Sequence, residues 1–323
     1  MAQRIDIKGQ RQDAITAACS VLAAKRPVAM PTETVYGLAA DATDPAAITN
    51  IYTTKGRPRF NPLICHMADI TMAERYAVFD PLSRKLASAF WPGPLTLVLP
   101  LKEDSGIHPL ATAGLDTVGL RVPKGFAGEL IRAYGRPLAA PSANTSGKIS
   151  PTTADHVEAD LGDKIELILD GGMASVGVES TIIKVEGETI RLLRPGGLAV
   201  DEIERLTGIS VTRNAGASAT IEAPGMLASH YAPESDIRLD AREIGTQEAL
   251  IDFGQSEIKN RDSALVVLNL SPSGNLAEAA ANLFSMMKQA DASKARGIAV
   301  APIPDHGLGE AINDRLRRAA APR

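Results

Sequence analysis

A short basic segment, residues 55–63, carries the residue types best suited to chemistry in this sequence. It reads Lys-Gly-Arg-Pro-Arg-Phe-Asn-Pro-Leu, so that cations and prolines crowd into nine positions. Proline fixes φ and removes a donor, so we expect a stiff loop rather than a helix or a strand. Arginine contacts phosphate oxygens in pairs, and lysine adds a compact charge. The segment therefore predicts an anion site for phosphate, with a solvated surface turn as the alternative.

Three further segments concentrate hydroxyl, amide and charged groups where predicted strands begin or end. They are PTETVYGL at 31–38, DTVGLRVP at 116–123 and PSANTSGKISPT at 141–152. Hydroxyls and backbone N–H groups in a loop such as the third can form a nest that holds an anion. Strand alternation in the second places Thr117, Gly119 and Arg121 on one face.

Each of these features also has an ordinary explanation. Ser142 and Asn144 are common turn formers, Arg121 could form a surface ion pair, and His66 could be a hydrogen-bonded core histidine.

Several familiar site motifs are absent. Residues 172–177 have the glycine spacing of a Walker loop, but Val178 stands in place of its lysine. We find no dinucleotide fingerprint, nucleophile elbow or paired-histidine metal motif. Cys19 and Cys65 are the only cysteines and lack metal-ligand spacing, which argues for a reducing compartment. Any nucleotide must therefore be bound by a site other than these familiar motifs.

Composition narrows the class of protein. The chain has 323 residues, 45% hydrophobic and 22% charged, which suggests a globular protein of about two domains. Aromatic residues make up 4% and the net charge is -4, so a dedicated nucleic-acid binder is disfavoured. No N-terminal signal region or apolar run long enough to span a bilayer is present, so we expect a soluble cytoplasmic protein without a membrane partner.

Strand and helix patterns alternate along the chain. A helix around Ile15, Ala18 and Leu22 precedes a strand at 28–30. Further strands are predicted at 63–67, 95–99, 118–122, 138–140 and 165–169, with a hairpin of 181–185 and 189–193. Further helices are predicted at 46–54, 83–90, 127–133, 153–161 and 201–206. These predict a first α/β domain, an α+β twisted mixed sheet, over 1–208.

Residues 209–233 show no helix or strand periodicity and are mostly small or polar, which predicts a linker or a lid. Beyond it, strands at 263–270 and 297–303 alternate with helices at 276–289 and 309–320. This series predicts a second, smaller Rossmann-like α/β domain over 234–323 with a parallel sheet.

Taken in this order, the motifs closely resemble those of the threonylcarbamoyl-AMP synthase family, in its two-domain long form with a YrdC-like catalytic domain. The resemblance rests on the Lys-x-Arg pair Lys55/Arg57, the Ser-x-Asn pair Ser142/Asn144 and the segments above. Its other blocks are Asn-Pro-Leu at 61–63, Ser-Pro-Thr at 150–152, Glu-Ser-Thr-Ile at 179–182, Leu-Leu-Arg-Pro-Gly at 192–196 and His-Tyr-Ala-Pro at 230–233.

The resemblance implies an L-threonylcarbamoyladenylate synthase, a nucleotidyltransferase that makes threonylcarbamoyl-AMP and pyrophosphate from L-threonine, bicarbonate and ATP. The product would pass to a tRNA threonylcarbamoyl transferase complex. By the same resemblance, the catalytic residues are Lys55, Arg57, Ser142 and Asn144. Those for threonine are Thr34, His66, Arg121, Ala140 and Ser180. Those for ATP are Arg57, Asn61, Thr117, Ser142, Ser150, Arg194 and Tyr231, and relatives can carry a hydroxyl in place of Ala140.

Mg²⁺ is expected with ATP, its protein ligands are unknown from sequence, and no organic cofactor is implied. Tyr231 either belongs to a lid over the nucleotide or fastens the second domain. Three alternatives stay open: weak RNA binding without catalysis, the carbamoyl-adenylate step of hydrogenase maturation, and a scaffold role for the second domain. The near-neutral charge counts against the first, and two lone cysteines do not supply the zinc motifs of the second.

Overall fold

The structure is a computed structural model that describes residues 1–213, 222–226 and 229–322. Two sheets organise these residues. The first has eleven strands in the order β1-β8-β2-β3-β7-β4-β6-β5-β9-β10-β11, and the second has four in the order β12-β15-β13-β14. None of the helices in this part of the chain combines the length and hydrophobicity that a transmembrane span requires.

Strands of the first sheet are short and mix parallel with antiparallel neighbours. They are β1 Gln3–Asp6, β2 Val28–Met30, β3 Gly37–Asp41, β4 Ile64–His66, β5 Leu95–Pro100, β6 Thr117–Arg121, β7 Leu138–Ala139, β8 Leu167–Asp170, β9 Thr181–Glu186, β10 Thr189–Arg194 and β11 Val211–Arg213. β1 and β8 pair in parallel, whereas β5 and β6 pair antiparallel. The predicted mixed sheet is confirmed, and so is the hairpin of β9 and β10.

Eight helices of the described residues accompany the first sheet. They are α1 Arg11–Ala23, α2 Pro45–Lys55, α3 Ile70–Tyr76, α4 Pro81–Phe90, α5 Pro109–Thr112, α6 Phe126–Tyr134, α7 Ala154–Leu161 and α8 Val200–Thr207. Local chemistry fixes the ends of α2. The Asp44 carboxylate accepts from two backbone N–H groups at its start, and Gly56 at φ 60° ends it. The chain therefore turns away from α2 at Gly56 and continues as the basic segment.

The second domain is a small parallel sheet covered by two helices. Its strands are β12 Asp236–Arg238, β13 Glu248–Asp252, β14 Val267–Asn269 and β15 Gly297–Val300, and its helices are α9 Leu276–Ala292 and α10 Leu308–Ala320. All its strand pairs are parallel. Because parallel strands need crossover connections, α9 joins β14 to β15. The predicted Rossmann-like second domain is confirmed.

Hydrophobic packing joins the two domains. Val35, Ile149 and Val178 of the first domain lie in the same buried cluster as Tyr231 and the apolar faces of α9 and α10. The interface therefore extends the hydrophobic core of the second domain and is not a hydrated polar contact.

The predicted linker differs from the structure at one place. Val211–Arg213, placed by the sequence pattern in an unstructured segment, forms β11 and pairs in parallel with β10. Three residues with two exposed side chains give too little alternation to identify a strand. Residues 214–221 and 227–228 of the predicted linker lie outside the described residues.

Candidate active site

A cavity opens where β4 and β6 end and β9 begins, beside the loops that follow α2 and β7, and we call it the central cavity. Most of the site residues predicted from the sequence line it. They are Thr34, Lys55, Arg57, His66, Arg121, Ala140, Ser142, Asn144, Ser180, Arg194 and Tyr231. Segments spread over some two hundred positions thus meet in one hollow.

Three predicted residues lie outside this lining. The Asn61 backbone oxygen accepts from the Arg57 Nε at 3.2 Å, so Asn61 lies directly behind the basic segment. The Ser150 hydroxyl donates to Glu179 at 2.6 Å and lies behind that carboxylate. Thr117 begins β6 opposite Pro100, at the other end of the strand from Arg121.

Other lining residues were given no role from the sequence. They are chiefly Thr32, Glu179, Pro224, Gly225 and His230. Glu179 and His230 stood in the quoted motif blocks, which was the available signal. Pro224 and Gly225 in the linker gave no such signal, because a proline followed by a glycine indicates a turn in any protein and no particular function.

Arg121 is held by contacts along its whole guanidinium group. Its Nε donates to the Gly93 carbonyl at 3.1 Å, and its Nη1 donates to the Thr34 hydroxyl at 2.9 Å. Its Nη2 lies 2.8 Å from a carboxylate oxygen of Glu33, and both side chains are buried. A planar cation fixed in this way is oriented in advance to hold a carboxylate.

His66 lies beside Arg121 because β4 and β6 are parallel neighbours with these two residues in register. Burial first and the charge of Arg121 second lower the pKa of His66 to about 3. The imidazole is therefore neutral near pH 7. Its buried Nδ1 has no hydrogen-bond partner among the described residues, so it can receive a ligand group.

Lys55 fastens two loops together. Its Nζ donates to the backbone carbonyls of Ser142 and Asn144, and its own carbonyl accepts from the Ser146 N–H at 2.8 Å. Burial lowers its pKa well below the ordinary value, and Arg57 adds to this. The lysine thus positions the Ser-x-Asn turn from the end of α2.

Arg57 and Asn144 are each fixed by backbone carbonyls. The Arg57 Nη2 donates to the Pro62 carbonyl at 2.9 Å. The Asn144 amide donates to the carbonyls of Thr145 and Lys148, both at 2.8 Å, and its buried Oδ1 has no hydrogen-bond partner among the described residues. An unpaired buried acceptor beside a buried cation suits a ligand that brings both a donor and an anion.

Arg194 reaches across from β10 to the start of β9. Its Nη2 donates to the Ser180 carbonyl at 2.9 Å and lies 3.3 Å from the Ser180 hydroxyl. That hydroxyl also lies 2.7 Å from the hydroxyl of Thr96. Ser180 is therefore oriented by a cation on one side and a hydroxyl on the other.

Glu179 is the carboxylate among the described lining residues, and both of its oxygens are engaged. Oε1 accepts from Ser150 and Oε2 accepts from the Arg315 Nε at 2.8 Å. Burial alone would raise its pKa, but Arg315 and then Arg194 hold it at about 2. Arg315 comes from α10, so the second domain supplies a charge next to the cavity.

Tyr231 brings the described end of the linker into the cavity. Its ring stacks on Phe284 with centroids 5.3 Å apart, and the Arg315 guanidinium lies 5.2 Å from its centroid. Its hydroxyl has no hydrogen-bond partner among the described residues. With Pro224, Gly225 and His230 also present, the cavity volume is about 50 Å³.

Magnesium has no cage of protein ligands in the described part of the chain. No group of three or more His, Cys, Asp or Glu side chains there could hold a metal ion. Glu179 already uses both oxygens, so the donor set does not fit a protein-bound Mg²⁺, which prefers several oxygen ligands.

The fold and the cavity define a class of enzyme. Lys55, Arg57, Arg121 and Arg194 line the cavity with one carboxylate, Glu179, and the described lining residues show no nucleophile and base arranged as a pair. Such a site acts by holding anionic reactants and stabilising charge, as transfer of a nucleotidyl group requires.

Known proteins of this architecture give the family. A family model described as telomere recombination, for Sua5, YciO and YrdC proteins, matches residues 20–196. A second, described as the threonylcarbamoyl-AMP synthase C-terminal domain, matches residues 198–321.

Similar proteins cover nearly the whole chain. The threonylcarbamoyl-AMP synthase of Bacillus subtilis strain 168 is 40% identical over 96% of this chain and 93% of its own. That of Pyrococcus abyssi is 41% identical over 91% of this chain and 90% of its own. A crystal structure of P. abyssi Sua5 complexed with L-threonine has a TM-score of 0.86 at 36% identity, covering 99% of this chain and 98% of that one.

The chain belongs to the threonylcarbamoyl-AMP synthase family. The family and the enzyme class predicted from the sequence motifs are confirmed.

Proposed function

We propose that the central cavity of this chain condenses L-threonine, bicarbonate and ATP to threonylcarbamoyl-AMP and pyrophosphate. The observation that carries the proposal is the meeting of Arg121, fixed for a carboxylate, with the cations Arg57 and Arg194 in one hollow. A small amino acid and a polyphosphate are the ligands that this pairing fits.

The reaction proceeds in two steps. The threonine amine forms a C–N bond with the carbon of bicarbonate, and water is lost. A carbamate oxygen then forms a bond to the α-phosphorus of ATP, the bond to the β-phosphate oxygen breaks, and pyrophosphate leaves with the electron pair. Orientation and charge stabilisation suffice for both steps.

Residues near Arg121 hold threonine. The Arg121 guanidinium takes the substrate carboxylate, and the hydroxyls of Thr34 and Ser180 contact the substrate hydroxyl or amine. Neutral His66 offers Nδ1 without competing for the carboxylate. Ala140 contributes its methyl group and backbone, because it has no hydroxyl to offer.

The cations opposite hold ATP. Arg57 and Arg194 stabilise the charge that develops on pyrophosphate, with Ser142 and Asn144 placed by Lys55 to contact the phosphates. Asn61, Ser150 and Thr117 belong to the wider ATP surface. Mg²⁺ enters as part of the ATP substrate, bridging its phosphates.

The linker acts as a lid in this proposal. A volume of about 50 Å³ is far below the roughly 300–1,000 Å³ of small-molecule sites. Tyr231 and His230 must therefore move to admit substrates, and they return to exclude water.

The product is handed in the cytoplasm to a transferase complex that modifies the adenosine beside the anticodon in certain tRNAs. RNA binding without catalysis is the second candidate. The burial of Arg57, Arg121 and Arg194 disfavours it, because phosphate backbones need exposed cations.

Threonine omission tests the function directly. Purified protein given ATP, bicarbonate, magnesium and L-threonine should release pyrophosphate, and release should stop without threonine. L-Serine should be a poorer substrate by roughly fivefold, because burying one methyl is worth about 1 kcal/mol. Release that is independent of the amino acid supplied would contradict the assignment.

A further inference from the structure

A second hollow, which we call the interdomain groove, lies between the two domains outside the central cavity. Its walls are the loop at 146–149, α7, α9 and the linker residues 229 and 232–234. Its volume is about 820 Å³, within the range of sites that bind drug-sized or cofactor-sized molecules. Domain junctions are also where such sites preferentially occur.

Three nitrogen bases from three different elements converge on the interdomain groove: Lys148, His156 and Lys288. Burial lowers the pKa of Lys288; Asp160 and Asp291 oppose this, and the charge of Lys148 adds to it. Burial, followed by the charge of Lys288, lowers the pKa of His156 to about 4. Lys288 is therefore close enough to act on both Lys148 and His156.

No carboxylate is in direct contact with either lysine within the described residues, although Asp160 and Asp291 act on Lys288 at longer range. Lys148 is exposed and Lys288 is half-buried. The ammonium N–H groups of both lysines are therefore left to contact a bound anion.

Two acidic residues of the groove, Asp160 and Asp291, also accept hydrogen bonds from neighbouring loops. Asp160 accepts from the Thr145 N–H at 2.8 Å and from the Thr145 hydroxyl at 2.6 Å. Asp291 accepts from the N–H groups of Glu234 and Ser235 at 3.0 and 2.9 Å. Of the lining carboxylates, only that of Glu234 is left without such a contact among the described residues.

The remaining walls suit a ring system. Ile149, Ala159 and Ala292 present apolar surface in the same groove. Two lysines beside apolar walls, in a hollow of this volume, match a phosphate attached to a base and a sugar.

We propose that the interdomain groove is a second nucleotide site, with the phosphate held between Lys148 and Lys288. It adjoins the central cavity, since Ser146 lines both hollows and is tied to Lys55 by a backbone hydrogen bond. A nucleotide bound there contacts both domains and the linker, and therefore holds them together.

AMP binding to the full-length protein tests this site. Equilibrium dialysis with radiolabelled AMP, without threonine, should give two AMP per chain for the wild type. Lys288→Met should weaken one site about tenfold and leave the other unchanged, as expected for loss of one charge-assisted contact. Lys288→Arg keeps the positive charge and should retain AMP binding at that site.

Three further variants make the outcome decisive. Lys148→Met changes an exposed side chain that folding does not need, and it should weaken the same site. Lys85→Met, an exposed lysine on α4, is the matched control and should change nothing. Arg194→Ala should weaken the central cavity and spare the groove. AMP binding that responds to neither Lys148→Met nor Lys288→Met, whatever its stoichiometry, overturns the proposal.

Discussion

At the scale of single residues, the site is built from side chains whose charges are fixed by their neighbours. Arg121 has its guanidinium held by Gly93, Thr34 and Glu33. His66 is kept neutral beside it. Each of these contacts can therefore be tested by a single substitution.

Arg121→Ala should raise the KM for threonine about 10- to 100-fold while changing the KM for ATP much less. The reason is loss of a charge-assisted pair with the substrate carboxylate, worth roughly 1.5–3 kcal/mol. Titrating each substrate separately in a pyrophosphate-release assay measures both values. Arg132→Ala, an exposed arginine on α6, is the control. Equal rises in both KM values would contradict the role assigned to Arg121.

Glu33→Gln tests how Arg121 is oriented. The substitution keeps the shape but removes the carboxylate charge 2.8 Å from the guanidinium. We expect the KM for threonine to rise several-fold with little change in kcat, because a merely positioning contact is lost. An unchanged KM would show that Thr34 and Gly93 orient the arginine without help.

His66 gives a dependence of stability on pH. Its folded-state pKa of about 3 lies below the ordinary 6.5, so the unfolded chain binds the proton first as pH falls. Stability is therefore complete above pH 6.5 and declines below it, by about 2 kcal/mol for this residue at pH 5. His66→Gln should reduce that slope in urea unfolding measured at pH 7 and pH 5. An identical slope in both proteins would contradict the burial of a neutral imidazole.

At the scale of elements, the site depends on how strand ends and helix ends meet. The register of β4 with β6 sets His66 beside Arg121, and the glycine that ends α2 releases the basic segment. Lys55 then ties that helix end to the loop after β7.

Lys55→Met should loosen this junction. Two buried carbonyls lose their donor, at about 1–3 kcal/mol each, although removing a buried ammonium offsets part of this. We expect a net loss of roughly 2 kcal/mol in the free energy of unfolding and a large fall in activity. Urea unfolding and pyrophosphate release measure the two effects. A fully active variant would show that the Ser-x-Asn turn holds its shape unaided.

Sequence patterns predicted the longer elements of the fold. The hairpin of β9 and β10 and the helices α4, α6 and α7 carry periodicity over whole elements. Strands β1, β3, β12 and β13 were missed. Strand β3 is buried at every position, so it shows no alternation, and β12 has only three residues.

Motif order predicted which residues gather in the central cavity but not how they are held. Side-chain contacts such as that of Ser180 with Thr96 join residues far apart in the sequence. The part played by Glu179 depends on Arg315, a residue more than a hundred positions away in the other domain. Spacing along one chain contains no signal for such pairs.

At the scale of the whole molecule, the second domain is part of the candidate active site. Arg315 is fully buried, donates to Glu179 and lies against the ring of Tyr231. One side chain of α10 therefore touches both the carboxylate of the cavity and the proposed lid.

Arg315→Met should damage the protein in two measurable ways. It removes the cation in contact with the buried Glu179 and leaves Arg194 as the next one, which costs up to about 3–5 kcal/mol of stability. It should also raise the KM for ATP, since Tyr231 loses its support. Arg317→Met, an exposed position on the same helix, is the control and should do neither.

The double variant Glu179→Gln/Arg315→Met separates charge from packing. Stability should recover in part, because Glu179 no longer carries a buried charge, while Arg194 loses its carboxylate neighbour. If the double variant is as unstable as Arg315→Met alone, the ion pair is not what joins the domains.

The small volume of the central cavity predicts that a motion of the protein contributes to kcat. About 50 Å³ is far below the roughly 300–1,000 Å³ that small-molecule ligands occupy. In their proposed lid role, His230 and Tyr231 swing outward through solvent in every catalytic cycle. Where the bond-making steps are faster than this motion, added glycerol or sucrose should lower kcat in proportion to solvent viscosity.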